Sequence, residues 1–208
     1  ALGGKDGTNK LWELFFQDPL YEGGADKARI QPTFISNHDN GRFAYYLRKA
    51  LPNASDDEVL ARVRLGHALL LTMRGVPTIY SGDEQGFTGD GWDQDAREDM
   101  FPSKVAIYND NRLLGTSVTT AQSNFDTRHP LYGLISKLSK LRQSNPALRR
   151  GRQLVRNYSD TPGLFAASRI DDASGQEILL VLNSSTKPLQ ANVELSSKST
   201  KLESLMGD

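Results

Sequence analysis

Apolar residues change period several times along the chain. Residues 8–17 (TNKLWELFFQ) place Leu11, Leu14 and Phe15 at helical spacing, which predicts a short amphipathic helix. A loop with Gly23 and Gly24 follows. Thr33-Phe34-Ile35-Ser36 is then a short apolar run opening into the polar Asn37-His38-Asp39. That pattern predicts a buried strand whose C-terminal end carries chemistry-capable side chains. Ser55-Asp56-Asp57-Glu58 fits a capping box, with Ser55 as N-cap and Glu58 reaching back. The helix it opens is expected to run to about Arg74, and its apolar second half, residues 65–73, must pack on other structure. Gly75 suits the left-handed position after a helix. Residues 76–80 (VPTIY) are a second short buried strand, closed by Ser81-Gly82. Strand, helix, strand is a βαβ unit, which implies parallel pairing with the helix outside.

Residues 83–128 keep no period and are rich in Gly, Asp, Asn and Ser, and a loop that long is usually functional or else a wrongly assigned element. A helix with Leu131, Leu134, Ile135, Leu138 and Leu141 on one face follows, stopped by Asn145-Pro146. Beyond Gly151 the period shortens. Residues 153–158, 164–170, 177–183 and 189–195 are strand-like runs separated by turn clusters, which predicts a small antiparallel β domain packed on the preceding helix.

Composition narrows the function more than the fold. The 208 residues carry 25 Lys plus Arg against 25 Asp plus Glu, so nothing pulls the chain toward nucleic acid or an anionic membrane. A neutral polar polymer would need no such pull. The most apolar stretch, residues 68–73, is far too short to span a bilayer. Cysteine is absent, which excludes disulfides and thiol chemistry. The compartment stays open on these grounds, with a secreted or periplasmic location favoured. The opening residues have neither the charged head nor the apolar core of a signal peptide, so any signal is expected upstream.

Three segments carry a family resemblance. Phe34-Ile35-Ser36-Asn37-His38-Asp39 resembles the "F-(V/I/L)-x-N-H-D" end of the seventh barrel strand in the α-amylase family of glycoside hydrolases. The stretch from Gly75 to Glu84 (GVPTIYSGDE) is similar to that family's "G-x-P-x-x-Y-x-G-x-E" eighth strand. The stretch from Asp95 to Phe101 (DAREDMF) is like the "D-x-R-x-x-M" loop that follows. The resemblance implies an α/β plus all-β chain. Residues 1–150 would be the C-terminal portion of a (β/α)8 TIM barrel, its last two strands and helices, and residues 151–208 a small antiparallel β-sandwich, domain C. In the family the nucleophilic aspartate and the acid/base glutamate lie on earlier strands, and no motif like either precedes Asn37. A fragment inactive by itself is therefore expected.

The resemblance also implies the site. Retaining glycosidases use two carboxyl groups about 5–5.5 Å apart. Asp39 would be a third carboxylate, the transition-state stabiliser that hydrogen-bonds sugar hydroxyls and raises the proton affinity of the acid. His38 would donate to the same sugar, with Asn37 and Arg42 also binding substrate. A plainer alternative makes Asp39 a strand cap holding the N–H groups of Asn40 and Gly41. Arg42 could equally form a surface ion pair. Glu84 and Tyr80 read as structural. Asp95 and Arg97 are expected to form an internal ion pair that orders the loop. Trp92 and Phe101 could stack on sugar rings or simply pack the loop. His67 reads as a core histidine and His129 as a helix-start residue.

No metal is expected within these residues, because Asp90, Asp93 and Asp95 are irregularly spaced and no bidentate Glu follows at the EF-hand position. The family resemblance leaves Ca²⁺ open for the full-length parent. The partner implied is an α-glucan or malto-oligosaccharide, cleaved at α-1,4 bonds by a hydrolase or passed to another sugar by a transferase. A non-catalytic carbohydrate-binding or scaffold protein on a degenerate barrel is the rival of another class. Unpaired strand edges predict a homo-oligomer or association with the missing N-terminal half.

Overall fold

The computed structural model describes residues 1–89, 92, 94–196 and 201–206. In chain order the elements are α1 (Asn9–Phe16), α2 (Gly24–Ala28), β1 (Pro32–Thr33), α3 (Phe43–Ala50), α4 (Asp56–Thr72), β2 (Val76–Pro77), α5 (Ala106–Asn109), α6 (Pro130–Ser144), α7 (Pro146–Arg150), β3 (Arg152–Asn157), β4 (Leu164–Asp171) and β5 (Gln176–Asn183). They fall into two compact units. One comprises residues 1–31, 72–76 and 139–208, the other 32–71 and 77–138.

A short parallel pair joins β1 to β2. Thr78 N–H bonds the Thr33 carbonyl at 2.7 Å, and two residues earlier on both segments Val76 N–H bonds the Gln31 carbonyl at 2.8 Å. Rungs that climb in the same direction along both segments define parallel pairing. Each strand spans only two residues, shorter than the expected 33–36 and 76–80, because each has just one partner among the described residues. The core of the unit that contains β1 is Ala44 and Leu47 of α3, Val59 and Val63 of α4, Leu114, and Leu131 of α6. Gly66 lets α3 approach α4, since a Cβ there would sit 2.5 Å from the Phe43 ring. Leu131 is fully buried in this core, so α3 and α4 cover the start of the α6 stripe, where the β domain was the expected cover.

Helix ends show how local chemistry sets the boundaries. Ser55 Oγ accepts the Glu58 N–H at 3.2 Å, but Glu58 does not reach back. Its carboxylate takes Arg62 instead, one turn on, at 2.9 and 3.1 Å. His129 opens α6 as expected. Its Nδ1 accepts the Leu131 N–H at 3.2 Å, so its Nε2 is the donor to the Leu114 carbonyl at 2.9 Å, and the ring is the neutral Nε2–H tautomer. The apolar end of α4 is buried, with Leu69, Leu70, Leu71 and Met73 all at or below 9% exposure.

The other unit holds one antiparallel sheet, ordered β3-β4-β5, with β4 in the middle and almost wholly buried. The fourth run, residues 189–195, forms no strand, and the described residues contain no second antiparallel sheet. Where a β-sandwich is expected, the described part of residues 151–208 is thus a three-stranded sheet. Residues 189–195 offer an alternating pattern, but strands are defined by a ladder partner and this run has none. Thr8, at the start of α1, bonds the Ser159 N–H and the Leu164 carbonyl, and Trp12 stacks on Tyr158 at 5.1 Å. Residues 1–31 therefore belong to the same compact unit as the β sheet.

Three arginines close this unit. Arg74 makes a buried two-pronged ion pair with Asp18. Arg142 donates to the carbonyls of Met73 and Gly75, and Arg169 to those of Thr72 and Gly151, each near a helix C-terminus where a cation is favoured. Burial and the neighbouring Arg142, Arg29 and Arg74 push the Arg169 guanidinium down to about 9.

Candidate active site

The segment after β1 turns on Asn37. Its Oδ1 accepts the N–H of Asp39 at 3.0 Å and that of Asn40 at 2.9 Å, and it also takes Asn40 Nδ2 at 3.2 Å. Three donors on one amide oxygen fix an Asx-type turn. Asn37, not Asp39, is therefore the cap, and the strand-cap alternative for Asp39 has lost its hydrogen bonds. The Asp39 carboxylate lies 3.3 Å from His38 Nε2, and both side chains are about two-thirds exposed. Ser36 Oγ accepts the Phe43 N–H at 3.1 Å and leads the chain into α3. A shallow groove of about 310 Å³ runs beside the turn, lined by Phe34, Asn37, Asn40 and Tyr46 among others.

Arg42 departs from both expectations. It is 1% exposed, neither a substrate-facing side chain nor half of a surface pair. Its Nε meets Glu98 Oε2 at 3.1 Å, while Nη1 meets Asp83 Oδ1 at 3.0 Å and the Ser81 carbonyl at 2.7 Å. The guanidinium lies over the Tyr80 ring, 4.1 Å from its centroid, with the Phe87 ring at 5.2 Å. A buried arginine flanked by two carboxylates and two aromatic faces fastens the segment after the turn to the segment after β2.

Glu98 is the functional-region residue that sequence reasoning missed. Its side chain is fully buried, and Oε2 also accepts the Gly89 N–H at 3.0 Å. Burial pushes its carboxyl up to about 7, against the opposing pull of Arg42 and the Gly89 N–H. Gly89 permits the approach, since a Cβ there would stand 2.9 Å from Glu98 Oε2. Nothing in the acidic run Asp95, Glu98, Asp99 told which carboxylate goes inside. The internal ion pair of this loop is Arg42 with Glu98, whereas Arg97 is exposed and its Nε donates to the His38 carbonyl at 3.1 Å.

The remaining candidates sort cleanly. Glu84 accepts the Gly82 N–H at 3.0 Å and so braces its own turn. Trp92 is 76% exposed, and Phe101, also exposed, meets the Phe125 ring at 5.1 Å. His67 is a core histidine, with Nδ1 at 2.9 Å from the Val63 carbonyl. Asp90 and Asp93, two of the three carboxylates weighed for calcium, lie outside the described residues. Among the described residues no three His, Asp or Glu groups stand close enough to hold a metal. No described helix is long and apolar enough to cross a membrane.

Residues 21–151, more than half of the chain, match the model of the alpha amylase catalytic domain. The chain belongs to the alpha-amylase family. It is 44% identical over 185 residues to an alpha-amylase of Streptomyces lividans, covering 88% of this chain and 20% of that protein. It is 36% identical over 126 residues to a cyclomaltodextrin glucanotransferase of Geobacillus stearothermophilus, covering 61% of this chain and 13% of the relative. The chain thus spans about a fifth or less of the length of these relatives. Among solved structures, an Anoxybacillus alpha-amylase superposes with a TM-score of 0.65 at 23% identity, over 89% of this chain and 33% of that one. The cyclomaltodextrin glucanotransferase CldA gives a TM-score of 0.59 at 25% identity, over 88% and 30%. The fold of this family member is accordingly that of part of a TIM barrel, accompanied by a three-stranded antiparallel sheet.

Proposed function

We propose that these residues are the C-terminal portion of a retaining glycoside hydrolase that cleaves α-1,4 bonds of an α-glucan. In this reading Asp39 is the transition-state stabiliser, and the nucleophile and acid/base come from chain outside the 208 residues. One observation carries it: the Asp39 carboxylate is exposed in the turn that follows β1 and, among the described residues, holds no backbone N–H, because Asn37 does that work. An exposed carboxylate on this face of a barrel suits a sugar ring that becomes cationic as its bond to the leaving group breaks. His38, 3.3 Å away, donates to the same ring's hydroxyls, a contact that strengthens as positive charge develops. Asn37 shapes the turn, and Arg42 acts from behind it without meeting substrate. The groove lined by Phe34 and Tyr46 supplies apolar faces for a neighbouring sugar.

The 208 residues alone then hydrolyse no glucan. Leu20, Ile30, Phe34 and Val76 are all more than half exposed, and among the described residues the two short parallel strands have unpaired outer edges, which favours self-association or pairing with the rest of the enzyme. The likeness to a cyclomaltodextrin glucanotransferase supports a second reading, in which a sugar hydroxyl replaces water as acceptor. The decisive experiment is Asp39→Asn in the enzyme that contains this chain. Turnover of malto-oligosaccharides should fall about a thousandfold or more, the scale of a lost charge-stabilising group, with melting unchanged. Near-normal turnover would return Asp39 to a surface carboxylate.

A further inference from the structure

We propose that Arg97 and Glu98 are positioning residues, a two-pronged clamp that grips the segment 38–42 at both ends and sets where His38 and Asp39 stand. The clamp rests on the reading of His38 and Asp39 as sugar-facing groups only for its catalytic consequence. Its geometry stands by itself. Arg97 Nε holds the His38 carbonyl at 3.1 Å, and the adjacent Glu98 holds Arg42 Nε at 3.1 Å. Two consecutive residues thus bind the first and last residues of a five-residue segment, and Asn37 Oδ1 pins the N–H groups between them. His38 and Asp39, with exposed side chains, have little packing of their own to fix them.

The cost of this arrangement argues for a purpose beyond stability. Arg42 Nη2 and Glu98 Oε1 are buried with no hydrogen-bond partner among the described residues. A buried ion pair left partly unsatisfied is a poor stabiliser compared with an apolar core. It does define one geometry, since a planar guanidinium held by Glu98, Asp83 and the Ser81 carbonyl above the Tyr80 ring has nowhere else to go. The charged and titratable groups around Glu98 are Arg42 and, behind it, Asp83, with Asp95, Arg97, Asp99 and Tyr108 on its own loop. Because burial brings Glu98 to titrate near neutrality, its ionisation is a handle on the clamp.

Backbone amide NMR on the enzyme that contains this chain tests this without any turnover. The Gly89 amide donates to Glu98 Oε2 and reports its protonation directly. The Asp39 and Asn40 amides report the turn, and the Leu131 amide, held by His129, is the control. Between pH 5.5 and 8.5 the Gly89, Asp39 and Asn40 amides should shift with a common midpoint while Leu131 stays put. Glu98→Gln should flatten all three. Arg97→Ala, at an exposed position, should leave the Gly89 titration intact and uncouple Asp39 and Asn40 from it, with Arg97→Lys restoring part of the coupling. The clamp is overturned if Asp39 and Asn40 keep their midpoint in Glu98→Gln, or if Arg97→Ala leaves them unchanged. In the parent enzyme Arg97→Ala should lower kcat about tenfold with KM nearly constant. Should Asp39→Asn turn over normally there while the amides still follow Glu98, the catalytic reading fails and the clamp stands.

Discussion

Asn37 Oδ1 accepts the N–H of Asp39 at 3.0 Å, so the amide, not the carboxylate, closes the turn after the first parallel strand. The side chain that would otherwise stabilise the loop is thereby released toward solvent, with His38 as its neighbour. A division of labour between adjacent residues follows: one holds the backbone, the next keeps its charge free.

That division is testable at Asn37 itself. Asn37→Ala removes an acceptor shared by three donors and should cost about 1 kcal/mol, the scale of a lost side-chain cap. Thermal melting measures that loss. In the parent enzyme kcat should fall by more than the stability change explains, because Asp39 is no longer held. A melting loss with unaltered kcat would separate the turn from the site.

The second prediction concerns pH and Glu98. Its carboxyl is raised from an ordinary 4.5 to about 7 in the folded protein, so between those values the folded state binds more protons than the unfolded one. Stability is therefore full below about pH 4.5 and declines as pH rises to about 7, by on the order of 3 kcal/mol from this group. Glu98→Gln should remove that slope. Urea titrations at pH 5 and 7.5 read it, and identical slopes for both proteins would disprove the assignment.

Glu177 predicts the opposite limb. Burial raises its carboxyl, but hydrogen bonds from Ser168, Arg156 and the Ser196 N–H outweigh that and hold it at about 2. Its contribution is present above about pH 4.5 and lost as pH falls toward 2. Glu177→Gln should flatten acid denaturation in that range by lowering stability at neutral pH, where the carboxylate's contribution is fully present, and should leave stability near pH 2 little changed.

Asp18 and Arg74 form the buried pair whose disruption should be most damaging. Arg74→Ala leaves Asp18, 8% exposed, without its counter-charge, and should cost about 3–5 kcal/mol. The double variant Asp18→Asn, Arg74→Met should recover most of the loss. A double variant no more stable than Arg74→Ala would refute the electrostatic explanation.

Gly86 supplies a backbone prediction. Its φ is +74°, and a Cβ there would sit 2.3 Å from the Leu114 carbonyl. Gly86→Ala should cost upwards of about 2 kcal/mol, strain and clash together. Calorimetry gives the answer directly.

Local chemistry in the sequence determined several features outright. The parallel relation of the segments around Thr33 and Val76 followed from strand, helix, strand, whereas the buried strands expected there are two-residue pieces with Phe34 and Val76 exposed. Three of the four β runs became strands close to their expected bounds, since alternation and turn residues act over a few neighbours. The family was legible because its motifs are contiguous. Tertiary structure decided the rest. It chose Glu98 over Asp95 as the buried acid, because burial depends on what approaches from Arg42 and Gly89, which the chain's local pattern does not reveal. It moved Arg42 from the surface to the interior and placed residues 1–31 with the β sheet. It also left residues 189–195 without a ladder, because a strand exists only when another segment offers its hydrogen bonds.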